Sequence, residues 1–148
     1  MDSLIQRLGQ SGARYLLIGG QAIRLYGLPR FSMDWDFFIP AHDQANLALI
    51  TRALGPELDV DLLPLGPRGE NLIQTYQTCW GVLQFHLAVP GIPSFDEADK
   101  KAVTLKTEDD ESIRCICAPD LLASKRAVNR PQDQQDIAYL EELLRRST

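Results

Sequence analysis

The sequence predicts a mixed α/β (α+β) fold, in which helices pack on a small mixed sheet and a helical tail ends the chain. Three observations predict this class. Strand-like and helix-periodic segments alternate along the chain, the strand-like segments 103–106 and 112–117 flank the acidic turn TEDDE, and helix-compatible sequence runs from Pro119 almost to the end. Alternation of this kind is typical of helices layered on a sheet.

The length and composition predict one globular domain, residues 1–148. A chain of 148 residues is about one domain long and can bury a core of its own. Hydrophobic residues make up 45% and charged residues 24% of the sequence, which argues against a disordered tail or a coiled coil. The net charge of −5 argues against a broad nucleic-acid surface, which would need clustered Lys and Arg, but it leaves room for a local basic groove.

The sequence also indicates a cytoplasmic protein that does not span a membrane. No apolar run approaches the ~20 residues that a bilayer crossing requires, and the N-terminal MDSLIQRLGQ lacks the apolar core of a signal peptide. Cys115 and Cys117 lie two apart on a predicted strand, where a disulfide is rare. We therefore predict that these two cysteines and Cys79 are reduced core thiols.

The first part of the chain predicts three helices and two strands. Apolar residues at helical spacing and the stop signal of Gly12 define the first helix. The breaker Gly27-Leu28-Pro29 separates the second helix from the second strand, and Asp43 is a candidate cap for the third helix. In order, these elements are a helix over 2–11, a strand at about 14–18, a helix over 21–27, a strand at about 34–39 and a helix that begins at Asp43 and ends before Gly55.

The remaining sequence predicts further strands and four more helices. LDVDLLPL alternates as a strand does, and Ser94 with Glu97 forms an S-x-x-E capping box for a helix that begins at Phe95. In order, the elements are a strand at 58–65, a short helix over 70–78, a strand at 81–89, the helix from Phe95, the hairpin 103–106 and 112–117, a helix from Pro119-Asp120 to about Val128, and a last helix from about Gln132 to Arg146.

Residues 14–39 carry the strongest functional signal. The first strand ends at Gly19-Gly20, where a helix begins, and Asp34 and Asp36 alternate with apolar residues in the next strand. Side chains two apart on a strand share a face, so the carboxylates can bind one divalent cation. Unpaired N–H groups at a helix start favour phosphate. Together these features predict a nucleotide–metal site, and the alternative is a glycine turn beside two unrelated strand-end aspartates.

The pattern hGG-x13-DhDh resembles the minimal nucleotidyltransferases of the DNA polymerase β superfamily, where the glycines touch the triphosphate and the two acids bind Mg²⁺. R-x-S-x-D-x-D, here Arg30 to Asp36, is similar more narrowly to bacterial nucleotidyltransferases related to the abortive-infection AbiEii toxins. VPGIPSFDEA resembles the loop and helix after the family's central strand. DLLASKRAVNRPQDQQDIAYLEEL resembles its closing stretch, with matches at Lys125, Arg130, Asp133 and Asp136. The likeness covers most of residues 14–144.

The resemblance implies a role for each matched residue. The catalytic residues it implies are Asp34, Asp36 and Lys125, and the two acids are also the ligands of Mg²⁺ or, alternatively, Mn²⁺. The nucleotide-binding residues it implies are Gly19, Gly20, Arg30, Ser32, Arg130 and Asp133. The fold it implies is a nucleotidyltransferase-like sheet with packed helices.

The chain departs from the family pattern at two positions. Where the family usually has a third carboxylate, alignment on the PG loop gives Gln84, with His86 on the same face of the strand; the family's lysine in the closing run is Gln132. Two replacements for the missing acid stay open. They are the same-face pair Asp59 and Asp61, and His86, whose ordinary pKa suits proton acceptance at neutral pH.

We therefore expect a Mg²⁺-dependent nucleotidyltransferase that moves a nucleotide from a nucleoside triphosphate to a hydroxyl acceptor on RNA, a small molecule or a protein. The family relation adds a toxin–antitoxin setting with an antitoxin partner. The alternative is a catalytically impaired relative that binds a nucleotide or a partner protein. A metal phosphohydrolase is a weaker third reading, because such sites usually contain several histidines and this chain has 2.

Overall fold

The computed structural model describes residues 3–147, which form a mixed α+β fold as the sequence predicts. In this range the helices are α1 (Leu4–Ser11), α2 (Gly19–Leu25), α3 (Gln44–Leu54), α4 (Phe95–Lys100), α5 (Ala118–Val128) and α6 (Gln134–Arg146), with a 3-10 turn at Pro131–Asp133 directly before α6. The strands are β1 (Leu16–Ile18), β2 (Asp34–Phe38), β3 (Ile73–Thr78), β4 (Gly81–His86), β5 (Val103–Lys106) and β6 (Ser112–Cys115).

The strands form one mixed sheet in the order β3-β4-β2-β1-β6-β5. Strand β2 lies between β1, to which it is antiparallel, and β4, to which it is parallel. Strand β1 also pairs in parallel with β6, while β3 and β5 form the two edges, each antiparallel to its neighbour. The strand that carries both candidate acids is therefore internal: Asp36, Phe37 and Phe38 pair with both neighbouring strands, and Asp34 and Trp35 pair with β4.

The two faces of β2 differ in chemistry. Trp35 and Phe37 point to one face, where the Phe37 ring stacks on those of Trp35 and Phe85. Phe37 and Phe85 are completely buried, so this face belongs to the core. Asp34 and Asp36 alternate with these aromatic residues and point to the other face. Core packing on the first face therefore fixes the direction in which the carboxylates project.

Local capping explains where several helices begin and end. Asp43 accepts a hydrogen bond from the N–H of Asn46 and caps α3, and Ser94 accepts one from the N–H of Glu97 and caps α4, as predicted. Gly12, with φ of 74°, ends α1 in the left-handed conformation. Helix α1 packs on α3, and α5 packs on α6. Within residues 3–147, none of the helices combines the length and apolarity that a membrane crossing requires.

The predicted strand at 58–65 is wrong. The stretch is an irregular segment beside β3, and two side chains bind the backbone of its central residues. Gln74 Oε1 accepts from the N–H of Leu63 at 2.9 Å, and Gln74 Nε2 donates to the Leu63 carbonyl at 2.8 Å. Thr51 Oγ1 accepts from the N–H of Leu62 at 3.2 Å. These side-chain bonds satisfy the backbone groups that a strand ladder would otherwise engage.

The predicted helix over 70–78 is also wrong, because Ile73–Thr78 form β3. The sequence IQTYQT contains β-branched and aromatic residues, which favour strands. The two-residue connection Cys79-Trp80 brings the chain back antiparallel, and residues 73–78 pair with residues 81–86. Tyr76 is the buried side chain of this strand. Pairing with β4 and burial of this one ring therefore override the helical interpretation.

The cysteines follow the prediction in part. Cys115 and Cys117 are buried and form no disulfide, as expected for core thiols. Burial raises the pKa of the Cys115 thiol to about 12, which keeps it in the unreactive thiol form. The prediction of a core thiol is wrong for Cys79, which is exposed at the turn between β3 and β4.

Candidate functional site

A cleft of about 400 Å³ opens on the face of the sheet that carries the two aspartates. Its walls come from the β1–α2 turn, the segment that leads into β2, strands β2 and β4, helix α5 and the turn before α6. The cleft brings together every residue that the sequence assigns to the site: Gly19, Gly20, Arg30, Ser32, Asp34, Asp36, Lys125, Arg130 and Asp133. Parts of the chain about 110 residues apart therefore meet around one space.

The glycine pair forms a tight turn between β1 and α2. Gly19 has φ of 72°, a backbone conformation that favours glycine. A Cβ atom on Gly19 would lie 2.6 Å from Asp36 Oδ2, so only glycine allows this carboxylate to lie against the turn. A Cβ atom on Gly20 would lie 3.0 Å from Ser32 Oγ. Helix α2 is only 7 residues long, so the turn offers local N–H groups rather than a strong helix dipole.

The two aspartates share a face of β2 but differ in their surroundings. Asp34 begins the strand and is exposed. Asp36 lies deeper, between Ile18 of β1 and Gln84 of β4, with 18% of its side chain exposed. Its Oδ1 is 2.8 Å from Nε2 of His86, so one oxygen already has a hydrogen-bond partner. Asp34 is therefore the carboxylate that is open to a ligand from solution.

Gln84 occupies the place where the family resemblance calls for a third carboxylate. It lies directly opposite Asp36 in the parallel β2–β4 pairing and lines the cleft. His86, two residues further on the same face, lines the cleft as well. The residue opposite Asp36 on this face is thus an amide rather than an acid.

Asp59 and Asp61 are not among the residues that line the cleft. Both are exposed on the irregular segment 58–65, and Asp61 lines a different hollow beside α3. The same-face strand pair predicted from LDVDLL therefore does not exist. Of the two replacements that the sequence leaves open for the missing acid, only His86 lies in the cleft.

Two buried aspartates hold the three cations of the site, and we call these five residues the cation network: Arg30, Lys125, Arg130, Asp133 and Asp136. Asp136 Oδ2 accepts from Arg30 Nη1 at 2.6 Å and lies 3.3 Å from Lys125 Nζ. Asp133 Oδ1 lies 3.4 Å from Lys125 Nζ. Both carboxylate side chains are 2–3% exposed. The network therefore joins the approach to β2, helix α5 and the start of α6.

Asp133 binds Arg130 through both of its oxygens. Arg130 Nε donates to Oδ2 at 2.9 Å and Nη2 donates to Oδ1 at 3.0 Å, while the Arg130 backbone N–H also donates to Oδ2. These bonds, with the nearby charge of Lys125, lower the pKa of Asp133 to about 2. The same contact raises the pKa of Arg130, and the charge of Asp36 adds to it. Asp133 thus orients the two cations, and direct contact with a nucleotide stays a prediction for it.

The acids of the cleft fit a cation that takes only part of its coordination from protein. Among residues 3–147, no group of three or more His, Cys, Asp or Glu side chains is placed to hold a metal ion. Mg²⁺ commonly takes one or two carboxylates and completes its shell with water and substrate phosphates. Asp34 and Asp36 provide that minimal oxygen set beside the glycine turn. Metal binding by this chain alone should accordingly be weak without a nucleotide.

Sequence reasoning missed several residues of the cleft. Leu121, Ser124 and Val128 line it beside Lys125. Their spacing of i, i+3, i+4 and i+7 puts them on one face of α5, so helical periodicity could have identified them. The contact between His86 and Asp36 was not predicted, because it depends on the parallel pairing of β2 with β4.

A larger cavity of about 520 Å³ lies near the other end of β2, where Phe38, Leu87 and Phe95 line it. Its cation, Arg14, is paired with Asp43 and Asp96. The guanidinium also lies 5.1 Å from the centre of the Phe95 ring. This cavity has no glycine turn facing paired acids, so the smaller cleft is the better candidate for chemistry.

Comparison with protein families and with curated proteins gives no relative from which function could be carried over. No protein-family model and no curated protein matches the chain. The functional reading therefore depends on the geometry of the cleft and on the sequence motifs themselves.

Proposed function

We propose that the protein is a Mg²⁺-dependent nucleotidyltransferase that moves a nucleotide from a nucleoside triphosphate to an acceptor oxygen. One observation carries the proposal: the Asp36 carboxylate lies against the backbone of Gly19, closely enough that a Cβ atom would meet it at 2.6 Å. A candidate metal ligand and a candidate phosphate-binding turn are therefore in contact. A nucleotide whose phosphates bind the turn would have its reacting phosphorus beside the acids.

The cations of the cleft suit the charge of a triphosphate. Arg30 and Arg130 can each present a planar guanidinium to phosphate oxygens, and Lys125 adds a point charge. In the free protein the buried carboxylates Asp133 and Asp136 hold these groups in place. Gly19 and Gly20 add backbone N–H groups for the β- and γ-phosphates, and Ser32 lies beside Gly20 as a further polar contact. Positioned charges of this kind stabilise phosphoryl transfer without reorganisation.

Asp34 and Asp36 would hold Mg²⁺, or Mn²⁺ in its place. When bound, the metal would neutralise phosphate charge and orient the α-phosphate for in-line attack. Asp34 is the exposed member and sits where a hydrated ion can arrive first. The chain's own contribution is to keep the two oxygens on one face and the glycine turn next to them.

The acceptor and the setting follow from the family resemblance. They are a hydroxyl on RNA, a small molecule or a protein, and a toxin–antitoxin pair with an antitoxin as protein partner. We assign the protein to the cytoplasm, where nucleoside triphosphates and RNA are found. A neighbouring gene for a small DNA-binding protein would support the toxin–antitoxin setting.

The test is transfer of label from α-³²P-labelled nucleoside triphosphates to bulk RNA in the presence of Mg²⁺ or Mn²⁺. We expect Asp34→Asn to lower transfer by more than about 100-fold, since it removes a metal ligand. Asp59→Asn, which neutralises an exposed loop acid outside the cleft, is the matched control and should have no effect. Full transfer by the Asp34→Asn variant would refute the assignment.

A second function has an observation in its favour. Gln84 lies opposite Asp36 where a third acid would serve as base, and His86 engages one oxygen of Asp36. Both facts suit a catalytically impaired relative that binds a nucleotide or a partner protein. Mg²⁺-dependent binding of nucleotide without transfer to any acceptor would support this alternative, and transfer of label would exclude it.

A further inference from the structure

If the protein has the proposed function, the acids and the amide that line the cleft determine which acceptor the cleft can use. An acceptor hydroxyl must lose a proton when it attacks phosphorus, and a positioned base typically contributes about 10²–10⁴-fold to such a step. The carboxylates that line the cleft are Asp34, Asp36 and Asp133. Each would need to be free of other tasks to serve as that base.

None of the three carboxylates is placed for this task. Asp133 is bound to Arg130 through both oxygens, and its pKa of about 2 makes it a very weak base. Asp36 bonds His86 through Oδ1 and lies against Gly19 through Oδ2. Asp34 remains, and the proposed function uses its charge for the metal. His86, the other candidate base that lines the cleft, has its Nε2 engaged by Asp36 Oδ1 at 2.8 Å, so each of these four groups already has a partner or a task.

Gln84 lies where a general base would lie if it took the proton of an acceptor hydroxyl bound beside Asp36. Its register opposite Asp36 and its place in the cleft wall put the amide next to the metal-facing carboxylate. Among the described residues, no hydrogen bond engages this amide, so its N–H groups are available to a ligand. An amide cannot take up a proton at neutral pH, but it can donate to an anionic oxygen. A carboxylate at the same position would repel such an anion.

We propose that the acceptor is a phosphate monoester, whose attacking oxygen is already an anion, and that Gln84 positions it. A phosphate monoester has a second pKa of about 6 and is mostly a dianion at neutral pH. It needs no base, and the Gln84 amide, which lines the cleft, can donate to its anionic oxygen without repelling it. The hydroxyl expected from the family resemblance would find neither advantage here.

The step balances without a proton transfer. A lone pair of the acceptor phosphate oxygen forms a new bond to the α-phosphorus of the nucleoside triphosphate. The bond between that phosphorus and the bridging oxygen to the β-phosphorus breaks, and its electron pair leaves with pyrophosphate. The product is a phosphoanhydride that joins the acceptor to the nucleoside monophosphate, and charge is conserved.

The first experiment compares acceptors that differ only in one phosphate. The full-length chain is incubated with Mg²⁺ and each α-³²P-labelled nucleoside triphosphate, and with one of two acceptor pairs. The first pair is glucose 1-phosphate and glucose. The second is an RNA 12-mer with a 5′-phosphate or a 5′-hydroxyl, blocked at its 3′ end in both forms. The pairs distinguish a small phosphate from the end of a nucleic acid.

We expect label to reach the phosphate member of at least one pair ten or more times faster than its hydroxyl twin. Equal or faster labelling of the hydroxyl twin overturns the inference and leaves the nucleotidyltransferase proposal intact. Binding of Mg²⁺–nucleotide without transfer to any probe overturns the inference and supports the nucleotide-binding alternative. Absence of Mg²⁺-dependent nucleotide binding overturns the proposed function and, with it, the inference.

The second experiment replaces the amide with a carboxylate. In Gln84→Glu the added charge should lower transfer to the phosphate acceptor by about tenfold or more through repulsion, and raise transfer to the hydroxyl twin by supplying a base. Gln77→Glu adds the same charge on β3, where Gln77 is exposed outside the cleft lining, and should leave both rates unchanged. Unchanged acceptor preference in Gln84→Glu, with nucleotide affinity retained, would show that Gln84 does not position the acceptor.

Discussion

The two pairs of aspartates around the cleft have opposite relations to solvent and to cations. Asp34 and Asp36 lie on β2 with no arginine or lysine within ion-pair distance among the described residues. Asp133 and Asp136 lie before and within α6, nearly inaccessible, and bind three cations between them. In the first pair Asp34 is exposed and Asp36 has His86 on one oxygen, whereas both carboxylates of the second pair are engaged by the cations that they orient. The same kind of side chain is therefore open to solvent at Asp34 and holds cations at Asp133 and Asp136.

The difference follows from burial. A buried carboxylate without a partner is costly, so Asp133 and Asp136 require the cations they have. An exposed carboxylate is solvated by water, so it is stable without a cation and remains accessible to a metal ion.

The largest effect should come from Asp133→Ala. Removing this buried carboxylate leaves the half-exposed Arg130 without its ion-pair partner and leaves Lys125 with Asp136 alone, so we expect a loss of about 2–3 kcal/mol in unfolding free energy. For a chain of this size Tm should fall by roughly 5–10 °C. Asp34→Ala, at the exposed pair, should change the free energy of unfolding by less than about 0.5 kcal/mol. Urea denaturation measures both, and equal losses would contradict the comparison.

Lys125→Met should weaken nucleotide binding. The substitution keeps the length of the side chain but removes a charged donor, which is worth about 1.5–3 kcal/mol when it contacts an anion. We expect the Kd for a Mg²⁺–nucleoside triphosphate, measured by titration calorimetry, to rise by roughly 10- to 100-fold. Lys100→Met is the control, since Lys100 pairs with Glu97 on α4 and does not line the cleft. An unchanged Kd for Lys125→Met would remove this residue from the site.

Gly19→Ala should strain the contact between the glycine turn and the first pair of aspartates. The residue must adopt a left-handed φ and its Cβ would meet Asp36 Oδ2, so we expect a loss of about 1–2 kcal/mol in unfolding free energy and weaker nucleotide binding. Gly9→Ala in α1 has open space around the new Cβ and should be stabilising by up to about 1 kcal/mol. Denaturation and nucleotide titration of both variants give the comparison. Normal nucleotide affinity in Gly19→Ala would count against phosphate binding at the turn.

The smallest effect should appear in acid. The pKa of Asp133 is about 2 in the folded protein, below its ordinary value of 3.8, mainly because Arg130 binds the charged form. A lowered pKa adds stability that is fully present above pH ~4 and is lost as the pH falls toward 2. Asp133→Asn should therefore lose less stability than the parent chain between pH 4 and pH 2. Urea midpoints at pH 5, 4, 3 and 2 measure this, and parallel curves would contradict it.

Short sequence motifs predicted most of the residues in the cleft. The features that they did not predict depend on contacts between separate segments of the chain. The glycine turn, the alternating acids and the caps at Asp43 and Ser94 depend on a few neighbouring residues, so the sequence suffices for them. The structure of 58–65 and 70–78 depended on which neighbouring segment each of them pairs with, and the side-chain pattern within either segment does not show this. Gln74 binds the backbone of the first segment, and β4 pairs with part of the second.

In the site, too, sequence motifs identify residues, whereas the contacts between those residues depend on the fold. Motif spacing could assemble the list of residues, including Lys125 and Arg130 from the closing stretch. It could not show that Asp133 and Asp136 are buried, that Arg30 reaches Asp136, or that His86 bonds Asp36. These facts depend on how α6 and β4 pack against the elements that carry the motif.

The most direct test of the metal–nucleotide site is a crystal grown with Mn²⁺ and a non-hydrolysable nucleoside triphosphate, examined by anomalous diffraction. We predict a manganese peak bound by Asp34 and Asp36, with the triphosphate oxygens on the same ion and the β- and γ-phosphates against Gly19 and Gly20. A peak elsewhere, or a nucleotide bound away from the glycine turn, would contradict the assignment of this cleft.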